Sequence, residues 1–192
     1  RHCSAQIDLN YFLVELICAL NFVLIFYLFG FSLTTILFFI LSISFIIIIF
    51  IDMKHFIIPN ELTFTLMIIG FLKSFDPYLN RYLFPNFVDS LIGGVIGYTI
   101  IWFIIFAYKK LRNREGMGLG DAKLLSAIGF WFGWISIPFI LFFSSFVALI
   151  FAVPGLLNKS KNMSSQIPFG PYIILGCVMY LLLLEQIIKY LN

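Results

Sequence analysis

The sequence predicts an all-α fold: a polytopic bundle of transmembrane helices with about seven spans. Composition is the first reason. The 192-residue chain is 62% hydrophobic and 11% charged, with a mean hydropathy of +1.07. A soluble domain is about 45–50% apolar and about 25% charged, so this chain cannot cover a water-facing surface. Segment length is the second. Apolar runs occupy 11–29, 32–51, 61–75, 88–108, 121–134, 136–153 and 170–190, and a helix needs about 17–25 residues to cross the hydrocarbon core. The third is the absence of in–out alternation, which strands of a membrane barrel require.

In chain order, the first, second, fourth, sixth and seventh runs are long enough to cross. The third and fifth are shorter, and each follows an acid-bearing loop, Asp52 before one and Asp121 before the other. Two shorter helices after two candidate catalytic loops are therefore expected. Gly93 and Gly97 lie four apart in the fourth run, a small-residue face that lets a second helix approach closely. Cys18 and Cys177 sit inside apolar runs as packing residues, so the three cysteines give no disulfide framework.

Seven crossings place the basic residues unevenly. Arg1, Lys54, Lys109, Lys110, Arg112, Arg114, Lys123, Lys159 and Lys161 fall on one side, while Lys73, Arg81 and Lys189 fall on the other. Basic residues in short loops stay cytoplasmic. The N-terminus and even-numbered loops are thus assigned to the cytoplasm. The formal charge of +3 lies in these loops and does not indicate nucleic-acid binding. Contact with anionic lipid headgroups is the better expectation for the loop from Lys109 to Lys123.

Both candidate acids then fall at the cytoplasmic edge. Asp52 stands in FIDMKHFIIPNEL and Asp121 in GMGLGDAKLL. Two carboxylates in one semi-buried site cannot both ionise easily and come to share a proton. An ionised partner can activate water while a protonated one donates to a carbonyl oxygen. Gly118 and Gly120 lack a Cβ and allow close approach or unusual dihedrals. A solvated loop acid is the plainer alternative for either residue. A phosphate-cradling loop is a third reading, and the lack of strands speaks against it, since such motifs need a strand before the loop. A small proton- or cation-coupled transporter using Asp52 and Asp121 is the competing function, because intramembrane acids mark such pathways. Against it, transporters carry internal repeats and midplane sites, and neither is seen. His55, three residues past Asp52, has no cysteine or second histidine beside it, so no metal site is expected there.

The stretch GMGLGDAKLLSAIGFWFGW resembles the GxGD segment of type IV prepilin peptidases, which are intramembrane aspartyl proteases. FIDMKHFIIPNELT resembles their other acidic segment, and DSLIGGVIGY and IPFGPYIILG match further along, so that the likeness runs in order along almost the whole chain. The opening RHCSAQIDLNYFLVEL is similar to the end of their cysteine-rich cytoplasmic loop and the helix after it. The resemblance implies residues 1–30 as that loop end and helix, and 31–192 as the peptidase domain. It implies cleavage of the basic leader of prepilins or pseudopilins at the cytoplasmic face of the bacterial inner membrane. It also implies Asp52 and Asp121 as catalytic acids, with Gly118, Gly120 and Lys123 shaping the site. The family often has Pro-Asp where this chain has Pro59-Asn60, so no acid is needed at position 60.

Many members also N-methylate the new terminus with S-adenosylmethionine and carry a pair of CxxC motifs upstream. Here Cys3 alone represents that cluster, and a tetrahedral zinc site needs four ligands. The expectation is proteolysis without cofactor, no zinc, and S-adenosylmethionine use only if the methyltransferase part is present. The start at Arg1-His2-Cys3, without Met, leads us to expect a piece of a longer chain.

Overall fold

The computed structural model describes residues 9–76, 79, 83–112, 117–157 and 168–191. Cys3 and the rest of residues 1–8 lie outside them. Among the described residues the chain is all helical, with α1 (Leu9–Phe29), α2 (Leu33–His55), α3 (Asn60–Lys73), α4 (Phe87–Arg112), α5 (Leu119–Phe132), α6 (Ser136–Leu157) and α7 (Gly170–Leu191). Phe12–Phe29, Leu33–His55 and Phe87–Leu111 are long and apolar enough to cross a membrane, and Ser136–Ala152 and Gly170–Leu184 are shorter apolar stretches. The seven expected helices are present, and the third and fifth are the short ones at 14 residues each. This is a multi-pass helical membrane protein.

Several helices run past the apolar stretches, α4 to Arg112 and α6 to Leu157, and one such boundary bears on the site. The sequence reading ended the second run at Ile51 and put Asp52 in a loop. The helix in fact continues to His55. The apolar run stops at the first charge, but the backbone ladder does not have to stop there. Lys54 and His55 in the last turn suit the negative end of the helix dipole. Asp121 lies in the first turn of α5, at the point where the fifth apolar run, 121–134, was expected to open.

The chain forms two compact units. The first holds α1 and the part of α2 up to Ile47. Gly30 turns the chain between its helices at φ 57°, and the Thr35 hydroxyl donates to the Gly30 carbonyl at 2.6 Å. Phe29 and Phe38 stack with ring centroids 5.0 Å apart, and Phe22 meets Phe39 at 4.6 Å.

The second unit, from Ile48 onward, is built around α5. Ala122, Leu124, Leu125, Ala127, Ile128 and Trp131 are all fully buried. The expected glycine face of α4 packs here. A Cβ on Gly93 would strike the Gly129 carbonyl oxygen, and one on Gly97 would lie 2.7 Å from the Leu125 carbonyl oxygen. The Ser126 hydroxyl donates to the Gly94 carbonyl at 2.8 Å, and the Ser90 hydroxyl to the Phe130 carbonyl at 2.7 Å. These contacts rise along one helix as they fall along the other, so α4 and α5 are antiparallel.

α3 runs parallel to α5. Asn60 meets Lys123 at one end, and Lys73 donates to the Trp131 carbonyl at 2.8 Å at the other. The Trp131 indole N–H donates to the Leu66 carbonyl at 2.8 Å between them. Phe132 packs on Tyr180 of α7, while Phe139 and Phe151 of α6 meet Tyr180 and Tyr172. α6 and α7 are therefore antiparallel. The N-termini of α3, α5 and α7 come together at one end, beside the C-terminal turn of α2.

Candidate active site

Asp52 and Asp121 are both brought to that end. Asp52 is 4% exposed and Asp121 is 7% exposed. Burial of this degree is rare for a carboxylate without a partner. The Asp52 Oδ2 accepts the Gly170 backbone N–H at 3.0 Å. Gly170 opens α7, where the first amides of a helix have no partner inside it, so Asp52 satisfies one of them. The Gly118 backbone amide faces the Asp121 carboxylate, and Asp52 is near enough for its charge to act on Asp121.

A tight local arrangement connects the two acids. α2 ends with the Phe56 N–H donating to the Asp52 carbonyl at 2.9 Å, and Phe56 itself takes φ 57°. A bulky residue seldom adopts that left-handed conformation. The turn it makes swings Ile58 inward, where it is 8% exposed. Ile58 lies between two glycines. A Cβ on Gly120 would stand 3.0 Å from the Ile58 Cβ, and a Cβ on Gly170 would stand 3.1 Å from the Ile58 Cδ1 and 2.7 Å from the Asp52 Oδ2. Only a residue without a side chain lets α5 and α7 close on Ile58 and Asp52 in this way.

Lys123 does not reach either acid. Its ammonium donates to the Asn60 Oδ1 at 2.7 Å and lies 5.4 Å from the Phe64 ring centroid. It ties the first turns of α3 and α5 together. Gly118 caps α5 with an ordinary extended backbone, φ −85° and ψ 149°, so the unusual dihedral expected of the glycine pair is absent. The close approach expected of it falls to Gly120 alone. His55 ends α2 with an exposed side chain.

Two residues of the site were not singled out from sequence. Ile58 reads as an ordinary apolar residue before a proline. Gly170 acts through its amide, which no side-chain pattern reveals. The Gly170-Pro171 pair at the start of an apolar run was the available signal, since proline near a helix start marks the first turn.

The arrangement can be set beside known proteins. A family model described as the type IV leader peptidase family matches residues 39–153, which include both acids. The chain belongs to the type IV leader peptidase family.

Among curated relatives, the prepilin leader peptidase/N-methyltransferase of Aeromonas salmonicida is 36% identical over 180 residues, covering 92% of this chain and 59% of that protein. The protein of the same name from Stutzerimonas stutzeri is 33% identical over 96% of this chain and 62% of its own length. That from Pseudomonas aeruginosa is 33% identical over 97% and 63%. The chain thus spans about three fifths of the length of these leader peptidases. No solved structure matches it. The relatives' names also include N-methyltransferase; Cys3, the residue of the expected cysteine cluster, lies outside the described residues.

Proposed function

We propose that this chain is an intramembrane aspartyl endopeptidase that removes the basic leader from type IV prepilins or pseudopilins, with Asp52 and Asp121 as its acid–base pair. The observation that carries the reading is the meeting of two buried carboxylates, 69 positions apart in sequence, at the shared N-terminal end of α3, α5 and α7. Their burial disfavours two adjacent negative charges, so the pair holds one proton between them. The ionised carboxylate takes a proton from water as the water oxygen attacks the scissile carbonyl carbon. The protonated partner gives its proton to the carbonyl oxygen. Collapse of the tetrahedral intermediate breaks the C–N bond as the proton held by the first carboxyl passes to the leaving nitrogen and a hydroxyl proton of the intermediate returns to the second carboxylate, which restores the one-proton pair.

The bias of basic residues toward one set of loops supports placing this end at the cytoplasmic face of a bacterial inner membrane. The transporter reading is less well supported. Both acids sit together at one end, and beyond Lys123 α5 carries no ionisable residue; its buried Ser126 hydroxyl is bonded to the Gly94 carbonyl.

The test is prepilin cleavage in liposomes by Asp52→Asn and Asp121→Asn. Each should lower the rate by about 10²–10⁴-fold while the protein stays folded and inserted, since each removes one half of an acid–base pair. Retained cleavage by either variant overturns the assignment. The wild-type rate should fall in acid, where both carboxyls are protonated and no base remains. It should fall again in alkali, where both are ionised and no acid remains.

A further inference from the structure

The two acids are sealed in. Asp52 and Asp121 are both buried, yet a scissile peptide has to come within hydrogen-bond reach of their carboxyls for proton transfer. Nothing of that size fits against carboxylates so enclosed. Part of their cover must therefore move during turnover, and the contacts around the site single out which part. α5 is fixed from one side by α4, whose Gly93 and Gly97 meet its backbone and whose Ser90 and Gly94 join it by hydrogen bonds. The start of α7 is tied to Asp52 itself by the Gly170 N–H. Shifting either helix would take the acid pair apart.

The connection from α2 to α3 is held differently. Residues 56–59 are not helical. Among the described residues, neither Ile57 nor Ile58 makes a hydrogen bond. Ile57 is exposed, and Ile58 alone points inward, its side chain seated between Gly120 and Gly170. Gly120 directly precedes Asp121, and Gly170 bonds Asp52, so the seat lies against both acids. Neither glycine has a Cβ, which leaves an unobstructed path for the side chain to enter and to leave. At one end of the connection Phe56 holds φ 57°, a conformation that a bulky residue keeps only while its surroundings impose it. At the other end Pro59 opens α3 with an extended backbone. A few residues at the ends of rigid elements are what a hinge requires.

Resting on the peptidase reading, we infer that residues 56–58 are a movable cover of the acid pair, with Ile58 as a plug that seats between Gly120 and Gly170 and withdraws to let water and the scissile bond reach Asp52 and Asp121. The closed form buries one isoleucine against two glycines and strains Phe56. The open form releases both, so a short segment moves while the helices that carry the acids stay in place.

The experiment measures how fast the two carboxyls meet an apolar reagent, in the full chain, in neutral lipid vesicles and without substrate. The reagent is dicyclohexylcarbodiimide at mildly acidic pH. A carboxyl oxygen adds to its central carbon, the carboxyl proton goes to its nitrogen, and rearrangement leaves a stable N-acylurea that mass spectrometry places on Asp52 or Asp121. Ile58→Cys combined with Gly120→Cys locks the cover. A Cβ at position 120 stands 3.0 Å from the Ile58 Cβ, a few tenths of an ångström inside the disulfide range of about 3.5–4.5 Å. The two single-cysteine variants are oxidised in parallel, because Cys18 and Cys177 remain in the chain. Oxidation of the double variant should slow labelling of the acids at least about tenfold, and thiol reduction should restore it. Without any cross-link, Ile58→Ala should be labelled at least about fivefold faster than the wild type, since three of the carbons that hold the plug in its seat are gone. Ile57→Ala should be labelled at the wild-type rate. Equal labelling of the oxidised and reduced double variant, or of Ile58→Ala and the wild type, would overturn the cover. Labelling needs no peptidase activity, so prepilin cleavage by the same preparations reports separately on the peptidase reading, which can stand while this inference fails.

Discussion

α3 and α5 are a matched pair of helices in opposite surroundings. Each is 14 residues long, the two run parallel, and both begin beside the same carboxylates. α5 is enclosed on all sides: from Asp121 to Phe132 only Lys123 and Phe130 are not buried. α3 shows Phe64, Ile68 and Leu72 to the outside. Neither helix is long enough to cross a bilayer alone, so each depends on neighbours for its place. The enclosed helix carries an acid and holds it in a fixed position. The open helix carries no acid in the pair and is free to meet something from the side. The proposed function would call on both properties, a rigid frame for its proton-transfer groups and a way in for a substrate.

Matched truncations should expose the contrast most strongly. Ile128→Ala in α5 should cost about 2 kcal/mol, while Ile68→Ala in α3 should change stability by about 0.5 kcal/mol or less. The first figure is at the low end for a buried isoleucine, because the unfolded chain in lipid is also in an apolar solvent. What is lost is packing against the cavity wall. Reversible unfolding in mixed micelles measures both, and equal losses would show that α3 is as enclosed as α5.

A cross-link between the two helices comes next. Lys73 is 6% exposed, lies 4.0 Å above the Phe84 ring and donates to the Trp131 carbonyl in the last turn of α5. Lys73→Met keeps most of the stem and removes the bond. It should cost about 1.5 kcal/mol, the value for a hydrogen bond to a charged group at its lower limit. Lys73→Arg should recover part of it. A neutral outcome for the methionine variant in the same unfolding assay would mean that the far ends of α3 and α5 are held by apolar packing alone.

The smallest effect is expected at the near end. Gly120→Ala brings a methyl group to 3.0 Å from the Ile58 Cβ. The loss of stability should be about 1 kcal/mol, the low end for overpacking, since Ile58 has to shift by a few tenths of an ångström. The displacement passes directly to Asp121, so turnover should drop severalfold with KM little changed. A rise in KM with turnover intact would place Gly120 on the substrate path.

Much of the frame around this contrast was readable from the chain. The apolar runs gave the helices in order, and the short third and fifth runs stood out by length. Gly93 and Gly97 announced the close helix contact that they make with α5. Asp52 and Asp121 could be named because a carboxylate in such sequence is conspicuous, and the distribution of lysine and arginine put both at one edge. Which helices meet at that edge was beyond reach. The Gly170 amide finds Asp52 across 118 positions, and a backbone donor is the same in every residue but proline. Lys73 was counted as a loop cation, yet it is buried against Trp131 and Phe84. Composition cannot separate a lysine that flanks a span from one that folds back onto the end of a neighbouring helix. The difference between α3 and α5 was equally hidden, since both are apolar and exposure depends on what packs around them.

The seam between α4 and α5 bears on biogenesis. A 14-residue helix that carries Asp121 and Lys123 within its first five residues gains too little from lipid to leave the insertion machinery alone. α4 is 26 residues long and can anchor itself. Gly93 and Gly97 fit directly against the backbone of Gly129 and Leu125, so the partners can lock together as soon as both are made. The unit that enters the bilayer is then a helical hairpin. The Asp121 side chain reaches the membrane boundary already attached to a helix able to hold it there, and a bulky residue at Gly93 or Gly129 would appear first as a defect of insertion, before any loss of proteolysis could be measured.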